Sequence, residues 1–497
     1  MKAFKLGLCR LISFLLPALL VAQDNVISNT AVWYDTAGNP IRASMGGHIT
    51  QVGDTYYWLG NDQESQGRVY MYASKTLGSS SWVPTGTLAQ GRVQFLKPNG
   101  ETSGGLGSNL TLIRSPTTSN FVIVAKGSGL SFYESETVEG PYTIRNELSR
   151  RDPPMNLHTN NYKIGGMSTF QEGDKAYVIT SRRWLGDPEI APNSQRFAGI
   201  YQLTPNFLDV EEEIAWVPNN SREAMWLFKK GDLYYMTGSH TAGWTPSACY
   251  YRTAPSLSGP WPDTYIEIEM DGEPQPEPHY APQNADEERE WRRLVRSQGT
   301  QHRWIMKVGD QWIFGGDRYP TIEPVSYPDS SLGDARMYRI CPVIWDGDHP
   351  VVQWQSVWTI DAAVSPFNAW ANLNFVENGP DQRSGDQTAD EDDDGLVNLV
   401  EFAIGGNPRS GADLNQLPAL GSNQDGLYFE YPRRLEVDSG LLYQAQFTED
   451  LASDIWTDWV VPNAATVPMN ADFEKVIYPL PSTGSSERFY RLQILEP

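Results

Sequence analysis

The sequence predicts an all-β protein whose largest domain is a five-bladed β-propeller, followed by a short acidic loop and a small β-sandwich. Three observations lead to this prediction. A short turn-and-strand pattern recurs along the first two thirds of the chain, long segments with helical periodicity are nearly absent, and the composition changes near residue 365. We place the propeller at residues 23–365, a linker with the acidic loop at 366–410, and the β-sandwich at 411–497.

The recurring pattern is a tight turn followed by a strand of aromatic and β-branched residues. Clear copies read GDTYYWLG from residue 53, GDKAYVIT from 173, GDLYYMTG from 231 and GDQWIFGG from 309, with a degenerate copy, TSNFVIVAKG, from 118. Gly and Asp suit a hairpin turn, and the residues that follow suit a pleated strand. Copies separated by roughly 50–80 residues predict the blades of a propeller. A β-sandwich with coincidental hairpins is the alternative.

The N-terminal segment predicts export. Lys2, Lys5 and Arg10 form a basic region, Leu11 to Val21 forms a short apolar stretch, and Ala22 could precede a cleavage site. This pattern is typical of a secretory signal peptide, here residues 1–22, and is too short for a lasting membrane span. We expect the mature protein to be secreted, periplasmic or at the cell surface, with no membrane span.

Charge and cysteine content exclude several classes of function. Acidic residues outnumber basic ones 61 to 38, which gives a formal net charge of −23. This balance argues against nucleic-acid binding, because phosphate contacts need clustered Lys and Arg. Cys249 and Cys341 could form one disulfide after export, and the scattered histidines suggest no zinc site. We expect a monomer.

The acidic loop has the spacing of an EF-hand-like calcium loop. Residues 390–401 read DEDDDGLVNLVE, with Gly395 at the sharp turn in position six. The expected ligands at positions 1, 3, 5, 7, 9 and 12 are Asp390, Asp392, Asp394, the carbonyl of Leu396, Asn398 and Glu401. Oxygen ligands at this spacing predict structural Ca²⁺, with no cofactor for catalysis. The alternative is an acidic linker that binds nothing.

One carboxylate lies where a propeller would expose it in a central pocket. Glu223 stands just ahead of a strand-like run in SREAMWLF, residues 221–228. This stretch resembles the glycoside hydrolases of family 43, in particular the exo-β-1,3-galactanase branch, whose general acid lies in Arg-Glu-Ala-Pro-Ala-hydrophobic-Phe. Met225 here replaces the proline. Further segments resemble that branch in the same order: DTAGNPIRASMGGHITQVGDTYYWLG from 35, GSHTAGWTPSACYYRTAPSLSGPW from 238, SQGT from 297 and GGDRYP from 315.

The resemblance implies a secreted glycoside hydrolase acting on a plant- or algal-type polysaccharide or oligosaccharide. It implies inverting exo-cleavage of a terminal galactose-type or pentose sugar, with Glu223 as general acid. Gln298 occupies the place of the branch's unusual base, a glutamine thought to act through its imidic acid tautomer. Trp244 could be a sugar platform or a core residue. Asn61 and Asp317 are further candidates for substrate binding, although Asp317 could instead pair with Arg318.

The sequence departs from the branch at three supporting carboxylates. Gly165-Gly166-Met167 stands where the branch has Arg-Asp-Met, Ser108-Asn109-Leu110 where it has Glu-Arg-Pro, and Asn61 where it has a glutamate. Asp62, Glu64 or Asp152 could supply a carboxylate instead. These departures favour an alternative function, a non-catalytic glycan-binding propeller.

Overall fold

The computed structural model describes most of the chain, and strands dominate it, with two short α-helices among the described residues. The described residues are 25–43, 45–62, 67–103, 106, 108–149, 152–155, 162–184, 196–219, 222–241, 247–272, 300–309, 311–318, 337–360, 366–375, 387–390, 392–411, 416–424, 426–435, 441–452, 455–459, 464–470, 472–480 and 488–495.

A short strand, β1 (Val26–Ser28), precedes five sheets that follow one another along the chain. The first sheet contains β2 (Met45–Val52), β3 (Thr55–Asn61), β4 (Val69–Ser74) and β5 (Val83–Pro84). The second contains β6 (Phe95–Leu96), β7 (Ser108–Arg114), β8 (Phe121–Lys126), β9 (Gly129–Ser135) and β10 (Tyr142–Ser149). The third contains β11 (Tyr162–Glu172), β12 (Lys175–Trp184), β13 (Arg196–Leu203) and β14 (Val210–Pro218).

The fourth and fifth sheets complete this series. The fourth contains β15 (Arg222–Lys230), β16 (Leu233–His240), β17 (Cys249–Ala254) and β18 (Ile266–Glu267). The fifth contains β19 (Glu269–Gly272), β20 (Thr300–Val308), β21 (Gln311–Arg318), β22 (Met337–Asp346) and β23 (His349–Trp354). A final strand, β24 (Val357–Thr359), pairs antiparallel with β1, so the two ends of this region meet.

The repeated sequence pattern forms the hairpin turns of these sheets. Gly53, Gly173, Gly231 and Gly309 each have a φ between 54° and 59°, a conformation in which a side chain would be strained. Each of these turns joins the strand that lies innermost in its sheet to the next strand, and Ser119 takes the same place in the degenerate copy.

The five innermost strands, β2, β7, β11, β15 and β20, contact one another in succession, and β20 also contacts β2. Each carries a register shift close to its start: between Met45 and His48, Ser108 and Leu110, Ile164 and Met167, Glu223 and Trp226, and His302 and Trp304. Because a bulge bends a strand and re-aims its side chains, the starts of all five strands can converge on one place.

The apolar faces of the sheets pack against their neighbours, and the two cysteines lie in this core. Cys249 and Cys341 are both buried and both carry free thiols, so the disulfide that the sequence allowed does not form. No helix in the described part of the chain combines the length and apolar character needed to span a bilayer.

The C-terminal region contains both α-helices and two further sheets. The helices are α1 (Pro366–Asn374) and α2 (Asn398–Ile404), which pack together through Phe367, Trp370 and Phe402. One sheet contains β25 (Ala419–Asn423), β26 (Gly426–Arg434), β29 (Ala465–Pro468) and β30 (Phe473–Pro479). The other contains β27 (Leu442–Thr448), β28 (Thr457–Asp458) and β31 (Phe489–Leu495). Buried residues of both sheets form one small core, as a β-sandwich requires.

Candidate active site

The bulged starts of the innermost strands surround a small central cavity. Its lining includes His48, Asn109, Met167, Ala224 and Arg303, one from each of the five innermost strands. The cavity has a volume of about 20 Å³, which is room for roughly one water molecule. Because the space between the innermost strands is almost filled at this level, a sugar would have to bind where the strands begin.

Glu223 lies at this point, where β15 enters the core. Residues 224–228 are buried, whereas the side chain of Glu223 keeps 15% of its surface exposed. Ala224, the bulge residue, has a φ of 51°, an uncommon value for a residue with a side chain. The bulge therefore fixes the direction in which Glu223 leaves the strand, and it places a carboxylate directly before the buried stretch of β15 at residues 224–228.

Groups from two other sheets hold the carboxylate of Glu223. Its Oε2 lies 3.7 Å from a guanidinium nitrogen of Arg196, which begins β13 in the third sheet. Its Oε1 accepts a long hydrogen bond of 3.4 Å from Nε2 of Gln301, in β20 of the fifth sheet. The carboxylate is thus bracketed by a cation on one side and an amide donor on the other.

Gln301 is itself held by a buried ion pair. Its Oε1 accepts a 3.2 Å hydrogen bond from Arg303, and Arg303 Nε donates a 2.6 Å bond to Asp317 Oδ2. The side chain of Asp317 has no exposed surface, and that of Arg303 keeps only 8% exposed. Asp317, which the sequence offers as a sugar ligand or as a partner of Arg318, therefore contacts Arg303 instead of solvent. The side chain of Arg318 lies outside the described residues.

The first sheet contributes a second ion pair at the end of β3. Asp62 is almost fully buried, and its Oδ2 lies 3.2 Å from a guanidinium nitrogen of Arg42. Arg42 also lies over the ring of Tyr70, at 5.5 Å. Asn61, the predicted substrate contact, has no exposed surface. Asp62 is thus a carboxylate already matched by a cation, and Asn61 would have to become exposed before it could bind a sugar.

Gly166 is a glycine for a steric reason. A Cβ atom at this position would lie 2.7 Å from the backbone nitrogen of Ala224 and 3.0 Å from its Cα. The close approach of β11 to β15 therefore leaves no room for the carboxylate that the galactanase branch carries here. At the corresponding bulge of β7, Asn109 has a φ of 57°, which Asn tolerates better than most residues.

Most of the remaining candidate residues lie outside the described part of the chain. Trp244, Gln298 and Glu64 lie outside the described residues, as does the side chain of Ser108. Asp152 is exposed and accepts a hydrogen bond from the backbone of Ser149 in a turn. Sequence reasoning missed Arg196, Gln301 and Arg303, although TQHRW begins an innermost strand just as Glu223 does.

The acidic loop has its three aspartates gathered. One carboxylate oxygen from each of Asp390, Asp392 and Asp394 lies within 4.8 Å of the others. The Oδ2 atoms of Asp392 and Asp394 are buried without a hydrogen-bond partner among the described residues. Asn398 and Glu401, at the start of α2, are also buried. Buried anionic oxygens in this number fit a hard cation such as Ca²⁺.

Two buried histidines lie beside the cavity. His48 packs against Trp226 with tilted rings whose centroids are 5.0 Å apart, and His302 Nε2 lies 3.2 Å from the hydroxyl of Thr237. Burial lowers the pKa of His48 to about 3. Burial, assisted by the positive charge of Arg303, lowers the pKa of His302 to about 3. Both rings are therefore neutral in the folded protein above that range.

We expect these histidines to make the protein acid-labile. In the unfolded chain these histidines bind protons below about pH 6.5, whereas in the folded protein they stay neutral until the pH nears 3. The free energy of unfolding is therefore undiminished above pH 6.5 and decreases as the pH falls from 6.5 towards 3. Between pH 7 and 5.5 the two together should lower the free energy of unfolding by about 2–3 kcal/mol. Urea unfolding at both pH values measures this difference.

Single-site variants isolate the histidine contribution from that of the carboxylates. His48→Gln and His302→Gln should each reduce the loss between pH 7 and 5.5 by about half of that amount. His349→Gln is the matched control, because His349 is exposed. An unchanged pH dependence in both buried-site variants would contradict the prediction.

Comparison with known proteins identifies the class of fold that these sheets form. No protein-family profile matches the chain, and no curated protein sequence matches it. Among solved structures, a variant of the exo-β-1,3-galactanase from Phanerochaete chrysosporium with β-1,3-galactotriose matches with a TM-score of 0.51 and 18% identity, over 94% of this chain and all of that one. The same enzyme with galactose gives a TM-score of 0.50 and 18% identity, over 95% of this chain and 99% of that one.

A β-1,3-galactosidase of family 43 also matches, with a TM-score of 0.50 and 21% identity. The match covers 68% of this chain and 64% of that one, so it spans less than two thirds of that protein. The chain therefore has the fold of the family 43 glycoside hydrolases. The structures it resembles include exo-β-1,3-galactanases, as the sequence motifs predict.

Proposed function

We propose that the protein is a secreted glycoside hydrolase that removes a terminal galactose-type or pentose sugar from a plant- or algal-type polysaccharide, with inversion. The observation that carries this proposal is Glu223, a partly exposed carboxylate at the start of an innermost strand, held by Arg196 and Gln301. A general acid must reach the glycosidic oxygen and keep a fixed direction, and the exposure and contacts of Glu223 support that role.

In this proposal the five sheets are the blades of a five-bladed propeller at residues 23–365. The succession of contacts between the innermost strands and the pairing of β1 with β24 support this architecture. Residues 1–22 would be a signal peptide, and residues 411–497 a separate β-sandwich. The mature protein would act outside the cytoplasm as a monomer.

The second half of the reaction would use groups named by the sequence. An inverting hydrolase needs a base that activates water on the face of the sugar opposite the acid. Gln298, three residues before Gln301, is our candidate for that position, and Trp244 is our candidate for the surface on which the sugar stacks. Both assignments rest on the sequence resemblance.

A second function, glycan binding without catalysis, is favoured by one specific observation. The backbone of Ala224 fills the space beside Gly166, so no carboxylate can stand there to assist Glu223. Asp62 is engaged by Arg42 and Asp317 by Arg303. A propeller that keeps the sugar-binding surface and lacks these assisting carboxylates could bind a chain end without cleaving it.

A substrate screen separates the two functions. Purified mature protein is incubated with β-1,3-galactan, arabinogalactan, xylan and arabinan, and released monosaccharide is measured together with binding by calorimetry. Release of a single sugar whose anomer is inverted, followed by NMR, supports the hydrolase. Binding to one of these glycans without any released sugar supports the binding protein and contradicts the hydrolase.

We also propose that the loop from Asp390 to Glu401 binds one Ca²⁺ ion as a structural staple. The gathered aspartates and their buried oxygens support this proposal. The loop leads into α2, whose Phe402 packs on Phe367 of α1 and beneath the guanidinium of Arg434 in β26. An ion in the loop would therefore stabilise the junction between α1, α2 and the C-terminal sheets.

Removal of calcium should consequently lower the melting temperature of the C-terminal region. An ion bound only to the folded form at a hundred times its Kd stabilises it by about 2.7 kcal/mol. Calorimetric melts with Ca²⁺ and with excess chelator measure the shift. Asp392→Asn should abolish the calcium-dependent part, whereas Asp393→Asn, at a loop position that supplies no ligand, should retain it. Superimposable melts of the wild type in the two conditions would exclude the site.

A further inference from the structure

The contacts of Gln301 form a directed chain that ends at Glu223. Arg303 donates to Asp317 Oδ2 at 2.6 Å and to Gln301 Oε1 at 3.2 Å. Gln301 Nε2 then donates to Glu223 Oε1 at 3.4 Å and to the hydroxyl of Ser239 at 3.2 Å. The chain joins two strands of the fifth sheet to the carboxylate at the start of the fourth.

The chemistry of Arg303 fixes the direction of this chain. A guanidinium group has only donors, so the atom of Gln301 that faces it must be the carbonyl oxygen. Asp317 prevents Arg303 from turning away, because a buried carboxylate without its cation would be costly. The amide nitrogen of Gln301 must therefore face Glu223. The orientation of the amide is set by charge two contacts away.

The position of Gln301 explains why a neutral amide, and not a charged group, donates the hydrogen bond to Glu223. It is 2% exposed and lies opposite Asp317 in the β20–β21 register. A lysine or arginine there would place a third cation beside Arg303 and Arg196. A neutral amide supplies a donor to the carboxylate without adding charge.

We infer that Gln301 is a positioning residue that holds the carboxylate of Glu223 away from Arg196 and directs it into the site. The inference rests on the proposed role of Glu223 as the general acid. Without the Gln301 donor, the carboxylate has a nearby alternative, since closing the 3.7 Å gap to Arg196 would make a direct charge-assisted hydrogen bond. In that position Glu223 would be hydrogen-bonded to Arg196 as well as ion-paired with it, and its carboxylate would be directed away from the site.

Crystal structures of the wild type and of Gln301→Ala test the positioning without any need for activity. In the variant, Glu223 should rotate so that one carboxylate oxygen comes within about 3.2 Å of Arg196, the usual upper limit for a hydrogen bond. Gln171→Ala is the matched control. Gln171 is also a fully buried glutamine of an innermost strand, near the end of β11, and it bonds to the carbonyl of Arg114. Glu223 in its original place in Gln301→Ala would overturn the inference.

Kinetics on β-1,3-galactotriose supply the second readout. Gln301→Ala should lower kcat at least tenfold with KM nearly unchanged, whereas Gln171→Ala should change neither.

Gln301→Glu keeps the acceptor for Arg303 and replaces the donor by a second carboxylate. The basic limb of its pH–rate profile should move to higher pH, because two adjacent carboxylates resist ionising together. Wild-type kcat in Gln301→Ala, or an unmoved basic limb in Gln301→Glu, would overturn the inference. A wild type inactive on every glycan would refute the proposed hydrolase, and the crystallographic comparison would still decide the positioning.

Discussion

Under the proposed hydrolase function, Glu223→Gln is expected to lower kcat on β-1,3-galactan by roughly 10²–10⁴-fold, the usual contribution of a positioned general acid. The amide keeps the shape of the carboxyl group and can still contact Gln301 and Arg196, but it has no acidic proton for the leaving oxygen. Reducing-sugar release under saturating substrate measures the change. Because the side chain lies at the rim and not in the core, the melting temperature should change little.

The nature of the leaving group distinguishes an acid from a binding residue. A nitrophenyl galactoside needs little protonation to depart, so Glu223→Gln should retain far more of its activity on that substrate than on the polysaccharide. Glu172→Gln is the matched control, since Glu172 is also ion-paired, to Lys229 at 2.7 Å, but at the opposite end of an innermost strand. Equal losses on the two substrates would contradict the general-acid role.

The parts of the fold that depend on local sequence could be predicted. The Gly-Asp pairs mark hairpin turns because glycine alone adopts positive φ without strain. Four copies of this turn, each followed by a strand, imply a repeated sheet. The sequence could place Glu223 at the start of an innermost strand because its motif is local, and β15 begins at Arg222. The aspartates of the loop at 390–394 follow the same logic, since their spacing alone brings them together.

The supporting groups of the site could not be predicted because packing between sheets selects them. Arg196 reaches Glu223 from the third strand of the preceding sheet, and nothing in the sequence around it records that contact. Gly166 reads as a missing carboxylate when the sequence is compared with the galactanase branch. The structure gives the physical reason, which is the backbone of Ala224 lying against it.

Asp317 illustrates a contact that the sequence did not predict, its ion pair with Arg303. The sequence offers Arg318 as a partner of Asp317 because the two are adjacent in the chain. The β20–β21 register instead places Asp317 opposite Gln301 and within reach of Arg303. The pairing of β20 with β21, which is not a local feature of the sequence, therefore brings Asp317 to Arg303 and, through Arg303, to Gln301.

Asp317→Asn is accordingly expected to destabilise the protein by about 3–5 kcal/mol, the cost of leaving one member of a buried ion pair without the other. The substitution conserves volume, so the loss reports the charge and not a cavity. Arg303 keeps only 8% of its side chain exposed and cannot recover its solvation by turning outward. Chemical unfolding of the wild type and the variant at pH 7 measures the difference.

A double-mutant cycle shows that the loss belongs to the pair. Asp317→Leu combined with Arg303→Met replaces both charges by apolar groups, and such replacements of buried ion pairs are often neutral or stabilising. The double variant should therefore be several kcal/mol more stable than the sum of the two single variants implies. Arg145→Met with Glu134→Leu is the matched control, because that pair is bonded at 2.9 Å but its arginine is half exposed, and exposed pairs contribute only about 0–1 kcal/mol. Additive single-variant effects at Arg303 and Asp317 would contradict the prediction, since groups that stabilise each other in a buried site cannot act independently.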